Sequence, residues 1–357
     1  MPCTDLRVIE LAGILAGPAV GCFFAELGAD VVKVENPATG GDPTRGWRLP
    51  GEPTDRPSAY FCAVNWGKRS VALDLQRDLE GFMRLLAGAD VLVTNFKPGD
   101  AEKLGVAPQA LVARFPRLLA GCITGYGPDD PRPGFDALIQ AESGLMKMNG
   151  ARLPVAFIDL IAAHQLKESL LLGLWQRERT GRGGVFEVSL WQAAVSSLAN
   201  AASNFLMAGF EQAPGGTEHP NLFPYGTLLR CRDGEVLLAV GTDRQFAALC
   251  RVLGRDELAR EYASNADRVE RREELRPRLD ASHLGAEEFL ARLTAEGVPS
   301  GRLRSVAEAL QAAPAEWLLR SGPFASVRTL AFGPRRDLRP PPGLGEHTAE
   351  VLGNLAG

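Results

Sequence analysis

Short apolar runs alternate with longer stretches in which apolar residues recur every three or four positions, from the start of the chain as far as Ser189. The runs Leu6–Leu11, Asp30–Glu35, Val71–Leu75, Val91–Thr94, Leu118–Thr124 and Val185–Ser189 read as buried strands. Between them, Pro18–Leu27, Leu79–Leu86 and Pro108–Phe115 carry the helical period, the first with Pro where a helix tolerates it. Helices between short strands predict an α/β fold with a parallel, doubly wound sheet, whose ligands collect at the carboxyl ends of the strands. Those ends fall at Gly13–Pro18, Asn95–Gly99 and Gly125–Pro128.

The most pronounced helical pattern lies just before the last of these strands. A helix over Phe135–Leu145 leads through a Gly-containing loop to the apolar run Val155–Ile158, which is broken by Asp159. Leu166, Leu170 and Leu174 then repeat at four-residue spacing, and Leu170–Trp175 is apolar almost all round, so this helix is expected to lie deep in the protein. An acid at its mouth has two readings. Asp159 is either an N-cap that satisfies orphan backbone N–H groups, or a carboxylate kept ionised and aimed by those groups and the positive helix end.

After Ser189 the pattern gives one more helix, Leu190–Met207, and then EQAPGGTEHPN, a Gly/Pro/Asn-rich connection. Tyr225–Cys231 and Glu235–Val240 flank an Asp233-Gly234 turn and predict a hairpin, followed by helices over Arg244–Leu253, Arg268–Arg278 and Ala286–Glu296. This is a second, smaller α+β domain. A Pro-rich segment, Arg335–Gly343, and a short helix, Thr348–Leu355, follow, and the chain has no internal repeat.

At 357 residues, 45% hydrophobic and 23% charged, the chain suits a soluble protein of two domains with a large core. Its net charge of −4 gives no overall field toward nucleic acid or anionic lipid, so an anionic ligand needs a local basic cluster. The start MPCTDLRVIEL lacks the basic and apolar parts of a signal peptide, and the apolar run Leu11–Ala25 holds Pro and Gly and falls short of a bilayer span. A cytoplasmic protein with no membrane or nucleic-acid partner is expected. Six cysteines without a C-x-x-C pair and four scattered histidines predict neither a disulfide framework nor a metal site.

Gly13, Gly17 and Gly21 are spaced by four, not in the dinucleotide order, and suit close helix–strand packing with room for a ligand at the helix start; Glu35 stands near where a ribose-binding acid is expected. The loop Asn36–Pro57 carries GGDPTRGW, and its length and Trp suggest a functional role. Lys68 and Arg69 precede a strand and read either as a solvated strand end or as a phosphate clamp, without the spacing of a phosphate-binding Walker loop.

Several segments, in order and over nearly the whole chain, resemble the family III CoA-transferases, a group that includes α-methylacyl-CoA racemase as a divergent branch. They are LRVIELAGILAGPAVGCFFAELGADVVKVENP, GGDPTRGW, GKRSVALDL, ADVLVTNFKPGDAEKLG, PGFDALIQAESGLM, the Asp159 segment, ERTGRGGVFEVSL, HPNLFPYGTL, GVPSGRL and LGEHTAEVL. The resemblance implies a Rossmann-like large domain with its parallel sheet built from both chain ends, a smaller α+β domain, and an interlocked homodimer. The expected division is 1–200 for the large domain, 201–222 for a linker, 223–310 for the small domain, and 311–357 for the return linker and C-terminal part of the large domain.

It also implies the activity: CoA passes from an acyl-CoA thioester to an acceptor carboxylic acid, with coenzyme A esters as substrates and no permanently bound cofactor. Asp159 matches the family's catalytic aspartate, which forms an aspartyl anhydride and then an aspartyl-CoA thioester. By their match to CoA-contacting segments, Arg45, Lys68, Arg69, Asn95, Phe96 and Lys103 are the candidate CoA-binding residues, Phe96 as a wall for adenine or pantetheine. Gly215-Gly216 is a candidate oxyanion loop. Racemase relatives carry G-H-D where this chain has Gly134, Phe135 and Asp136, and a Phe cannot shuttle a proton. Asp243 approximates another racemase carboxylate, and LIAAHQLKES places His164 and Lys167 beside Asp159 in sequence. An acyl-CoA racemase or epimerase is therefore the second reading. A non-catalytic CoA-binding protein, against which the retained Asp159 argues, is the third.

Overall fold

Strands β1 (Arg7–Leu11), β2 (Asp30–Glu35), β3 (Lys68–Ala72), β4 (Val91–Thr94), β5 (Leu119–Thr124) and β6 (Gly184–Ser189) form one sheet in the order β3-β2-β1-β4-β5-β6. Every neighbouring pair is parallel. Side chains alternate across it: Val8, Val31, Val91 and Val93 enter one apolar layer, Ile9, Val32 and Leu92 the other. With helices on both faces, both sides of the inner strands are buried, which is why β4 and β5 read as nearly unbroken apolar runs. Helices α1 (Ala16–Glu26) and α5 (Phe157–Thr180) cover the first face; α2 (Leu79–Ala87) and α3 (Pro108–Arg114) cover the second. Gly17 and Gly21 let α1 approach the sheet: a Cβ on Gly17 would stand 2.2 Å from the Ala12 Cβ, and one on Gly21 would strike the Glu10 carboxylate.

This computed structural model describes residues 2–214, 216–333 and 335–353. The chain divides into two compact units, the larger taking in the sequence up to Lys147, Ala151–Phe210 and the part from Pro314 onward, the smaller Met148–Gly150 and Glu211–Ala313. Both chain ends thus enter the larger unit, but the expectation of a parallel sheet built from both ends is corrected: its strands all lie between Arg7 and Ser189. The returning segment meets β3 through single bonds, Gly67 N to Arg339 O, His347 N to Ser70 O and Ala72 N to Thr348 Oγ1. Its run Pro340–Pro342 has no N–H groups with which to build a ladder. The Leu190–Met207 helix is in fact two, α6 (Leu190–Ser196) and α7 (Ala199–Ala208), divided where Ala199 takes a φ of 46°. The terminal helix is described over Thr348–Gly353; Leu355 lies outside the described residues.

The smaller unit has an antiparallel sheet, β7 (Tyr225–Cys231), β8 (Gly234–Ala239) and β9 (Ser300–Arg302), with the hairpin turning at Asp233-Gly234 as expected. Its core packs this sheet against α8 (Asp243–Leu253) and α9 (Ala286–Ala295).

Helix α5 does not lie as deep as its composition suggests. Leu166, Leu170 and Gly173 pack on β5 and β6, whereas Leu171, Leu172 and Trp175 are 41%, 60% and 58% exposed. Only one stripe of the helix meets the sheet, and the four-residue Leu spacing marks that stripe.

Candidate active site

The order 3-2-1-4-5-6 reverses direction between β1 and β4, and the crevice beyond those two carboxyl ends is where such sheets take ligands. Asn95 bridges it: its Oδ1 accepts from Gly13 N at 3.0 Å and its Nδ2 donates to Gly13 O at 2.8 Å. The next residue, Ile14, has its N–H directed to the Asp42 carboxylate at 3.2 Å and adopts a φ of 71°. That is a strained conformation for a β-branched residue, and it borders a cavity.

What holds the strain is a buried charge network. Glu10 accepts from Lys33 Nζ and Lys68 Nζ, both at 2.8 Å, and Lys33 also reaches Ala12 O at 2.7 Å and Asp42 at 3.0 Å. Burial opposes the charge on Lys33, but Glu10, Asp42 and Glu35 outweigh it and hold its pKa above the usual lysine value. At Asp42 burial is likewise outweighed, by Lys33 and Thr44, and the carboxyl stays below its ordinary range.

A narrow cavity of about 80 Å³ at the crevice is bordered by Ile14, Asn95, Phe96, Gly134, Asp136 and Asp159. Gly125 and Gly134 touch through their backbones; a Cβ on Gly134 would stand 2.2 Å from the Gly125 Cα. That contact delivers Phe135 and Asp136 beside Asp159. Gly134→Ala is therefore expected to lose ~1–3 kcal/mol of stability through overpacking and to lower turnover, read by denaturant midpoint and CoA-ester exchange. An unchanged variant would show that the contact is slack.

Asp159 sits in the first turn of α5, but it is not the cap. The N-cap is Ala156, and the Ile158 N–H goes to Asp136 Oδ1 at 2.9 Å. Asp136, at the start of α4 (Asp136–Glu142), also accepts from Gln140 Nε2 at 2.7 Å. The Asp159 carboxyl accepts no hydrogen bond from a described residue, and burial, reinforced by the Asp136 charge, pushes its pKa up to about 7. The Ile158 N–H at the helix mouth is thus directed to a carboxylate of another helix and not to Asp159. Sequence reading missed Asp136 in this role; its signal was a second acid directly after Gly134-Phe135.

The helix α1 begins at the same cavity with Leu15 at its N-cap and no side chain capping it. Across Phe96 lies a larger cavity of about 600 Å³, bordered by Gly13, Ala38, Asp74, Arg77, Phe96 and Leu104. Phe96 is common to both.

Of the CoA-binding candidates, the structure brings Asn95 and Phe96 to the cavities and leaves four cations elsewhere. Lys68 is fully buried and donates to Glu10, Pro18 O and Asn65, each at 2.8 Å. Arg69 pairs with Asp30 at 2.6 Å and Glu350 at 2.9 Å. Both begin β3, at the amino end of the sheet, opposite the crevice. Arg45 forks onto Glu35 at 2.8 and 2.7 Å, reaches Pro342 O, and lies over the Phe61 ring. Glu35 is thereby also spent. Lys103 is exposed and pairs with Asp100 at 3.0 Å, a contact that costs little to exchange.

His164 is exposed, and Lys167 is buried against the Phe23 ring; neither borders the Asp159 cavity. Asp243 belongs to the smaller unit, where it holds Arg268 Nη2 at 2.6 Å. Gly215 lies outside the described residues, and Gly216 is in the smaller unit. All six cysteines are buried free thiols, and burial raises Cys122, on β5, to about 11, far from a thiolate nucleophile.

The family model for CoA-transferase family III matches residues 4–351. The chain belongs to that family. As a member of CoA-transferase family III it is an enzyme that transfers CoA. The chain is 34% identical to the succinate–glutarate CoA-transferase of Agrobacterium fabrum (strain C58), over 99% of this chain and 96% of that one. It is 32% identical to the succinyl-CoA:glutarate CoA-transferase of Mus musculus, over 98% and 86%. A crystal structure of a CAIB/BAIF family protein from Brucella suis superposes with a TM-score of 0.86 at 36% identity, covering 99% of both chains. No helix among the described residues is long and apolar enough to cross a membrane.

Proposed function

We propose that this CoA-transferase moves CoA from an acyl-CoA to a small dicarboxylic acid by way of covalent intermediates on Asp159. One observation carries the reading: a buried carboxyl without a hydrogen-bond partner stands at the carboxyl end of a parallel sheet, in a cavity that an uncapped helix also reaches. The diacid class rests on relatives named for succinate and glutarate.

An Asp159 oxygen attacks the thioester carbonyl, the C–S bond breaks, and CoA leaves as the thiolate, giving a mixed anhydride. The thiolate attacks the Asp159 acyl carbon, releases the donor acid and leaves an aspartyl-CoA thioester. The acceptor carboxylate attacks that thioester, again expelling thiolate, and the thiolate takes the acceptor's acyl carbon. Asp159 is regenerated with no net change in bonds to oxygen and sulfur. The start of α1 offers its N–H groups to the tetrahedral oxyanions. The nucleotide end of CoA takes the larger cavity, Phe96 divides it from the thioester end, and Arg77 at the larger cavity and Lys97 at the smaller supply charge for the phosphates. Racemisation needs a second proton carrier, and Phe135 holds that position. The protein acts as a cytoplasmic homodimer in this reading, its second copy covering exposed apolar side chains such as Leu172, Trp175 and Leu206.

Burial makes Asp159 more basic than a free carboxylate and so a better nucleophile once ionised. Transfer measured as kcat/KM is expected to rise with pH through about 7 and then level, because only the carboxylate attacks. Asp136→Asn removes the neighbouring charge while its amide oxygen still accepts from Ile158, so the midpoint should fall. A flat profile from pH 5 to 8 would contradict the assignment. The activity itself is tested by incubating the protein with succinyl-CoA and glutarate and reading glutaryl-CoA by mass.

A further inference from the structure

Strand β3 is an edge of the parallel sheet, and its outward polar groups are met by a segment from the far end of the chain. Ser70 N donates to His347 Nδ1 at 3.3 Å, Ser70 O accepts from His347 N at 2.9 Å, and Ala72 N donates to Thr348 Oγ1 at 2.9 Å. An imidazole nitrogen and a hydroxyl thus cover the edge where a further strand would otherwise pair.

The same segment reaches the loop that follows β2. Ser70 Oγ accepts from Gly345 N at 2.9 Å and donates to Glu35 Oε2 at 2.6 Å. Glu35 also accepts from Asp42 N at 3.0 Å and from the Arg45 fork, and Arg45 Nη1 goes on to Pro342 O at 2.9 Å. These bonds close a ring through Ser70, Glu35, Arg45 and Pro342, completed along the chain to Gly345. Burial opposes the Glu35 charge, but Arg45, Lys33 and Ser70 outweigh it, so the centre of the ring stays a carboxylate. Leu344 packs on Gly41, which has a φ of 79°; a Cβ there would stand 2.8 Å from Leu344 Cδ1 and 2.7 Å from Glu35 Oε1.

Glu35, Asn36, Thr39, Gly41 and Asp42 form a wall of the larger cavity, whereas no residue from Pro342 to Thr348 borders it. The segment holds the wall from behind. Pro37 to Gly40 are exposed, so the loop is placed by what lies beneath Gly41 and Asp42 and not by packing of its own. Resting on the reading that puts the nucleotide end of CoA in this cavity, we infer that Pro342–Thr348 is a clasp that sets the cavity wall, with Ser70 and His347 as the positioning residues that fasten it. Neither touches substrate. Their loss weakens what the nucleotide adds to binding and leaves the chemistry at Asp159 as it was.

The test compares succinyl-CoA with succinyl-pantetheine, the same thioester without the nucleotide, as donors to glutarate. The nucleotide half of CoA alone, an adenosine bisphosphate, is titrated calorimetrically, and both measurements are made on the parent, Ser70→Ala, His347→Ala and His347→Asn. Each alanine variant is expected to raise KM for succinyl-CoA and Kd for the nucleotide roughly 3- to 10-fold, the worth of one hydrogen bond. The kcat, the KM for glutarate and the constants for succinyl-pantetheine should not move. His347→Asn puts an amide oxygen where Nδ1 stood and should restore both values. Alanine variants with parental KM and Kd overturn the clasp, and so does an equal loss with both donors that asparagine fails to rescue. A parent that binds no bisphosphate and uses the two donors alike overturns the nucleotide-site reading itself, and the clasp with it.

Discussion

Asp159→Asn is expected to lose CoA transfer by on the order of 10⁴-fold or more, because an amide oxygen cannot form the covalent intermediates. CoA binding should survive, since Phe96 and the larger cavity are untouched. Stability should move the opposite way. The Asp159 carboxyl is raised from an ordinary 3.8 to about 7 in the folded protein, so its protonated form is the favoured one there. Its stabilising contribution is full below the unfolded value and is lost as pH rises through about 7. Asparagine stands in for the protonated form at every pH. The variant should therefore unfold at higher urea than the parent at pH 8 and at the same urea near pH 3.5. Parental turnover in the variant would remove Asp159 from the mechanism.

Glu10→Ala should be the most damaging single change to the fold. Glu10 is fully buried and accepts from two fully buried ammonium groups. Burial already pulls the Lys68 pKa down, with Lys33 adding to the fall and Glu10 opposing it. Removing the shared carboxylate leaves Lys68 buried without an ion-pair partner and Lys33 with Asp42 alone, a loss of ~3–5 kcal/mol. Because Lys33 also holds Asp42, which holds Ile14, the β1–α1 turn should loosen and activity should fall with stability. Denaturant unfolding of parent and variant decides it; a difference under ~1 kcal/mol would mean the network relaxes around the gap.

The centre of the sheet was legible because β4 and β5 carry little but apolar residues, and Gly17 and Gly21 announced the close approach of α1. What misled were charges whose partners are distant in sequence. Lys68 looks like a phosphate ligand until Glu10, 58 positions away, closes on it, and Arg69 until Asp30 does, 39 positions away. Paired there, they start β3 instead of preceding it, which moves the strand to Lys68–Ala72 from the expected Val71–Leu75. The position of Asp159 at a helix mouth was readable from Val155–Ile158 and the Leu repeat. Its raised pKa was not, since that depends first on burial and then on the charge of Asp136, whose carboxylate reaches the Ile158 N–H across 22 positions. The exposed side of α5 escaped notice because its composition is apolar all round; only packing distinguishes Leu170 from Leu172.

The most direct measurement of the covalent claim is trapping. The protein is mixed with a donor acyl-CoA that it turns over, treated with hydroxylamine, digested, and its peptides weighed. Attack on an aspartyl anhydride or thioester leaves a hydroxamate, so the account predicts that mass change on the peptide carrying Asp159, dependent on acyl-CoA and absent from Asp159→Asn. Turnover without any modified Asp159 peptide, or a hydroxamate on a different carboxylate, would contradict it.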